Sequence, residues 1–190
     1  VRLARVSSAT APAPSPAAAK GAWLRRVSLD WTGLPPTPEE REAFLADDSP
    51  QAYEKVVDRL LNSPRYGERM AMHWLDLARY ADTNGYNNDE DRTQWMWRDW
   101  IIDAFNRDVP YDQFLKLQLA ADLMEGCDKE NTAALGFIGL GPKYYDRGKL
   151  AVRADEWEDR VGTGSRTMLG LTGAWPSCQD PRDDPSPSGA

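Results

Sequence analysis

The chain has 190 residues, with 23 basic and 30 acidic side chains, a formal net charge of −7 and 41% hydrophobic residues. This length and composition fit one ordinary domain with a sizeable core. The acidic balance argues against a nucleic-acid-binding protein, which would need a basic face. No apolar run reaches the length of about eighteen residues that a membrane span requires. Two cysteines, Cys127 and Cys178, are too few for a disulfide scaffold.

The sequence contains one histidine, His73. This count excludes sites that need two histidines, such as a two-histidine zinc site. A Ser-His-Asp triad could use only His73. Neither a Gly-x-Ser-x-Gly motif nor a phosphate-binding loop is present, so the sequence carries no motif for a nucleophile or a nucleotide.

Composition divides the chain into three parts. Residues 1–21 include a stretch made of Ser, Ala, Thr and Pro, which predicts an extended, linker-like segment. Residues 22–178 predict a helical domain, and residues 179–190, rich in Pro, Asp and Ser, predict a loose tail. Because Val1 is not followed by a charged and then apolar leader, we expect that any export signal was removed or lies upstream.

Helical periodicity extends through nearly the whole middle part, with no convincing β alternation, so we predict an all-α, single-domain fold of about seven helices. Thr37, Pro38 and Glu40 form a capping-box pattern that starts one helix. Ser49, followed by Pro50, caps the next helix, and Ser63-Pro64 restarts the chain before the one after it. The predicted helices cover approximately residues 23–31, 38–46, 50–61, 66–81, 95–105, 111–124, 131–140 and 155–171.

The fourth predicted helix is apolar on nearly all sides, which is typical of a central, buried helix. Polar residues nevertheless recur in it at intervals of three and four. Buried polar groups must bond to one another or to a ligand. The sequence therefore predicts a buried polar cluster made of His73, Asp76, Arg79, Tyr80 and Asp82.

The loop of residues 82–91 is rich in Asp and Asn. Oxygen ligands at alternate positions suit Ca²⁺, but the glutamate expected at the twelfth position of an EF-hand is replaced by Thr93. We therefore favour a solvated acidic loop over a calcium site.

Five stretches together resemble a known family. They are LRRVSLDWTGLPPTPEE (24–40), YEKVVDRLLNSPRYGERMAMHWLDLARYADTNGY (53–86), RDWIIDAFNRDVPYDQFLKLQLAADL (98–123), GFIGLGPKYYDRG (136–148) and ADEWEDRV (154–161). They are similar to the planctomycete cytochrome c-associated domain, PSCyt, a domain of unknown function, over roughly Leu3–Pro185. The resemblance implies a domain of a larger exported protein, with an extracytoplasmic (periplasmic or cell-surface) location. It also implies that the partners are the other domains of that protein and a redox partner protein.

The resemblance further implies haem c, attached through a Cys-x-x-Cys-His motif near the end of the domain. This sequence departs from that motif, because Trp175 occupies the place of the first cysteine and Gln179 that of the histidine. Cys178 alone remains. We therefore expect haem attachment to be impaired or absent. Cys178, and His73 as an axial ligand of the haem iron, are the candidate haem-binding residues.

Three hypotheses for the function remain open. The first is an extracytoplasmic module for haem binding and electron transfer, impaired in this copy. The second is a non-catalytic interaction module of a larger cell-surface protein. The third is a hydrolase-like enzyme in which Asp76 orients His73 as a general base. The favoured interpretation of His73 is a core residue bonded to Asp76 or to a backbone carbonyl, and a disulfide between Cys127 and Cys178 is left open.

Overall fold

A computed structural model describes residues 16–85, 89–141 and 148–170. These residues form eight α-helices and two 3₁₀ turns, at Ala121–Leu123 and Asn131–Leu135, and they contain no β-strand beyond an isolated bridge between Thr83 and Asp91. The predicted all-α class is confirmed. The tail 179–190 and most of the extended N-terminal segment lie outside the described residues. The α-helices are α1 (Lys20–Thr32), α2 (Pro38–Ala46), α3 (Ala52–Leu61), α4 (Pro64–Ala78), α5 (Trp95–Asn106), α6 (Tyr111–Ala120), α7 (Gly136–Gly139) and α8 (Leu150–Leu169).

The first three helices enclose one apolar cluster. α2 begins at the predicted capping box, in which the Glu40 amide donates to the Thr37 hydroxyl at 3.2 Å and the Thr37 amide donates to the Glu40 carboxylate at 2.9 Å. All three helices contribute side chains to the cluster, whose buried members are Leu24, Phe44, Ala52, Val56 and Leu60.

Helix α4 is central, as predicted, because it packs against α1, α3, α5 and α8. Its buried positions are Gly67, Ala71, Trp74 and Ala78, at helical intervals of four, three and four. Gly67 permits the closest approach, since a Cβ there would lie 2.4 Å from the Ile102 carbonyl oxygen on α5. The small residues of α4 therefore let α5 pack directly against its backbone.

A second, larger core lies between α4, α5, α6 and α7. Trp97 and Trp100 of α5 are buried there, and Trp100 stacks on Phe114 with ring centroids 5.6 Å apart. Gln118 is fully buried and accepts a 2.8 Å hydrogen bond from the Trp74 indole. This hydrogen bond fixes the orientation of the Trp74 ring within the core.

The last described helix, α8, packs against α4. It begins at Leu150, five residues before the predicted start, and Gly170 caps its C-terminal end with a positive φ of 69°. Within the three described segments, no helix combines the length and hydropathy that crossing a membrane would require.

Candidate functional site

The central polar residues of α4 are not buried. His73 and Asp76 are both exposed, as are their apolar neighbours Met72 and Leu77. The prediction of burial was therefore wrong for His73 and Asp76. The physical reason is that the four helices packed on α4 leave part of its surface uncovered, and both apolar and polar residues on that part reach water.

Arg79, at the C-terminal end of α4, does enter a polar cluster. Its guanidinium donates to both carboxylate oxygens of Asp159 on α8, at 2.5 and 2.9 Å. A Cβ at Gly141 would lie 2.7 Å from the nearer Asp159 oxygen, so the ion pair also packs against the chain that follows α7. This two-point geometry fixes the rotation of α8 relative to α4.

Tyr80 and Asp82 form a second pair beside this ion pair. The Tyr80 hydroxyl donates to the Asp82 carboxylate at 2.6 Å, and its ring stacks on Trp97. Burial of the ring, followed by the hydrogen bond to Asp82 and the charge of that carboxylate, raises the pKa of Tyr80 to about 12. Tyr80 is half-buried, whereas Asp82 is exposed, so the predicted burial of Asp82 was also wrong. As a loop residue beyond the end of α4, Asp82 bonds to Tyr80 from the solvent side.

Arg92 completes the cluster, although the sequence did not single it out. Its guanidinium donates to the carbonyl oxygens of Ala81, Gly141 and Leu140, at 3.2, 3.0 and 2.6 Å. Burial lowers the pKa of Arg92. These bonds join Ala81 and Arg92 to the end of α7.

Arg79 and Tyr80 donate to carboxylates, whereas Arg92 donates to backbone carbonyls. In the part of the chain that the structure describes, no group of three His, Cys, Asp or Glu side chains could hold a metal ion. Cys127 is a partly buried free thiol, and Cys178 lies outside the described residues. The bonds of Arg79 and Arg92 therefore form a clamp that connects α4, the end of α7 and α8.

Helix α8 has its polar side against the domain and its apolar side outward. The side facing the domain carries Glu156, Asp159 and Thr163, of which Glu156 and Thr163 are buried. The outward side carries Leu150, Trp157 and Val161, which are 72%, 48% and 63% exposed. A helix that serves only its own domain places its apolar side inward, so this arrangement is inverted.

We call the outward side the α8 seam. Its members follow one another at intervals of four, three, four and three, and they are Leu150, Ala154, Trp157, Val161 and Gly164. The row continues to Met168, which is partly buried on the main core. Arg153 lies beside the seam with its guanidinium 5.2 Å from the Trp157 ring, and Arg160 lies 3.6 Å from the buried Glu156 carboxylate.

A separate apolar cleft of about 480 Å³ opens between α4, α5 and α6. Trp74, Phe105 and Phe114 line its walls, and Tyr111 stands at its exposed rim. Since the Trp74 ring is fixed by Gln118, the cleft has at least one rigid wall.

The apolar spacing of the α8 seam is a signal in the sequence itself. Its 4-3-4-3 spacing is visible in residues 150–164, but charged residues lie between the apolar ones. The partnership of Arg79 with Asp159 had no local signal, because eighty residues separate them.

The fold and its clamp define an all-α domain with an apolar helix row on its outside. A family model described as PSCyt2, a protein of unknown function (DUF1549), matches residues 3–188, and the chain belongs to this family. No curated protein and no solved structure gives a significant match to the chain.

Proposed function

We propose that this chain is a non-catalytic docking module of a larger extracytoplasmic protein, and that the α8 seam is its docking surface. The resemblance to exported multidomain proteins supports the proposed extracytoplasmic location. The observation that carries the docking role is the inverted orientation of α8, with Asp159 held by Arg79 and Trp157 in solvent. Apolar side chains aligned in one exposed row mark an interaction surface, whereas scattered ones do not.

Haem binding receives less support from the residues present. The Cys-x-x-Cys-His motif supplies two thiols and an adjacent imidazole, whereas Cys178 has neither the other thiol nor the histidine beside it, and His73 lies on α4. This donor set does not fit the attachment motif that the family resemblance implies. We propose that attachment of haem c, and electron transfer through it, are impaired or lost in this chain.

The hydrolase hypothesis also receives little support. A general base acts on a substrate held within hydrogen-bond reach. His73 and Asp76 instead lie on an open helix face, where water competes for both side chains.

Hydroxyl-radical footprinting tests the docking role. Trp157 and Trp95 are matched probes, because they are 48% and 50% exposed in this chain. Both should oxidise at similar rates in the dilute chain. In the native protein purified from its source cells, Trp157 should be protected while Trp95 stays reactive. Equal reactivity of the two tryptophans in the native protein would refute the docking role of the seam.

A further inference from the structure

The seam has the spacing of a coiled-coil interface. Intervals of four and three keep successive apolar side chains in line along a helix pair that supercoils to the left. With Ala154 and Val161 at the first core position of each heptad, Leu150, Trp157 and Gly164 occupy the other core position. Gly164 faces open space, since a Cβ there would meet no atom within 4 Å. A partner helix could therefore approach the backbone closely at that point.

The rest of α8 leaves this row free to meet a partner. Asp159 projects on the opposite side of the helix and is held there by Arg79. Rotation of α8 that would hide the seam in its own domain would break this ion pair. The seam is therefore fixed outward, and preorganisation of this kind lowers the cost of association.

Charges beside the seam indicate which partner fits. Arg153 and Arg160 flank it on one side, and Glu158 flanks it on the other. In a parallel, in-register helix pair, each position on the arginine flank faces the glutamate flank of the partner five residues further along the sequence. A second copy of the same helix would thus place Glu158 opposite Arg153, and two-fold symmetry would form this pair twice.

An antiparallel pair of the same helices would bring flanks of the same kind together. Arginine would then face arginine along one flank, which is unfavourable. The charge pattern therefore favours the parallel arrangement.

We propose that a second copy of this chain packs its α8 in parallel on the α8 seam, with Arg153 of each copy against Glu158 of the partner subunit. This inference rests on the docking role proposed above and names its occupant. The seam spans little more than two heptads, so we expect a reversible, concentration-dependent dimer rather than a permanent one.

Sedimentation velocity on the chain tests this pairing directly. The unchanged chain should shift from monomer to dimer as its concentration rises, and Val161→Glu should abolish the shift. Met72→Glu is the matched control, because Met72 is 51% exposed on α4, away from the seam, and its substitution should leave the shift intact. Circular dichroism of each variant verifies that the helices remain folded. A chain that stays monomeric at its highest soluble concentration, or a dimer insensitive to Val161→Glu, would overturn the proposal.

Two charge variants test the register. Glu158→Arg and Arg153→Glu should each weaken self-association by about threefold to tenfold, since each replaces two attractive pairs with repulsive ones. Mixed together, the two variants should associate at least as well as the unchanged chain, because every pair is again attractive. Failure of the mixture to associate would refute the parallel register. A monomeric chain combined with protection of Trp157 in the native protein would refute the second copy while leaving the docking role intact.

Discussion

Arg79 donates two hydrogen bonds to Asp159, and these join the end of α4 to the middle of α8 across eighty residues of sequence. Arg79 itself has a positive φ of 58°, which is unfavourable for a side chain larger than glycine. Its backbone amide caps α4 by donating to the carbonyl of Asp76. Arg79 therefore ends α4 and also sets the orientation of α8.

Removing the charge of Asp159 should loosen α8. Asp159→Asn keeps the size of the side chain but loses the ionic part of both hydrogen bonds. Since Arg79 and Asp159 are partly exposed, we expect a loss of about 1 kcal/mol in the local stability of α8. Hydrogen exchange of the α8 amides, followed by mass spectrometry, measures this change. Asp155→Asn, at an exposed residue one turn before Asp159, is the control, and equal exchange in the two variants would contradict the clamp.

Two helical glycines should respond to alanine in opposite directions. Gly67→Ala places a Cβ 2.4 Å from the Ile102 carbonyl oxygen, so α4 and α5 must separate, which costs about 2 kcal/mol or more. Gly164→Ala meets open space and should stabilise the dilute chain by about 0.5–1 kcal/mol, the usual gain in a helix interior. Urea unfolding of both variants measures these changes. A neutral Gly67→Ala would show that α4 and α5 are not in direct backbone contact.

Tyr80 should ionise later than an ordinary tyrosine. Its pKa is raised from 10.0 to about 12, so between these values the folded chain retains a proton that the unfolded chain has lost. The corresponding stability is therefore present below pH 10 and is lost as the pH rises toward 12. Ultraviolet titration of tyrosinate, with Tyr80→Phe to identify the signal, measures this pKa. In Asp82→Asn the pKa should fall, and an unchanged value would assign the whole shift to burial.

Haem attachment is tested by intact mass. The chain, matured in a host with cytochrome c assembly machinery, should have the mass of the polypeptide alone and no covalent Soret absorbance, because Cys178 lacks the second thiol and the histidine. Cys178→Ser is the matched control for any adduct at that thiol. A stoichiometric haem adduct that disappears in Cys178→Ser would contradict the proposed impairment.

The helices with local signals were predictable from the sequence. The start of α2 required only Thr37, Pro38 and Glu40, whose interactions lie within one turn. The end of α4 was predicted three residues too late. Arg79 ends the helix in the left-handed conformation, which is usually adopted by glycine and so is not expected at an arginine. The partner of its side chain, Asp159, is eighty residues away in the sequence.

The exposure of His73 could not be predicted from the sequence, for a different reason. The apolar residues of α4 lie on nearly all of its sides, so their periodicity could not indicate which side the other helices would cover. Ala71 and Trp74 face α5 and α6, and this choice left His73 in water. The orientation of α8 was not predictable for another reason, because it depends on a long-range partner of Asp159.

The most direct measurement of the central claim is the oxidation rate of Trp157 relative to Trp95 in the native protein. The two side chains are almost equally exposed in the chain itself. If α8 is a docking helix, Trp157 will be strongly protected and the ratio will fall far below its value in the dilute chain. An unchanged ratio would mean that the seam remains in water and that docking through α8 does not occur.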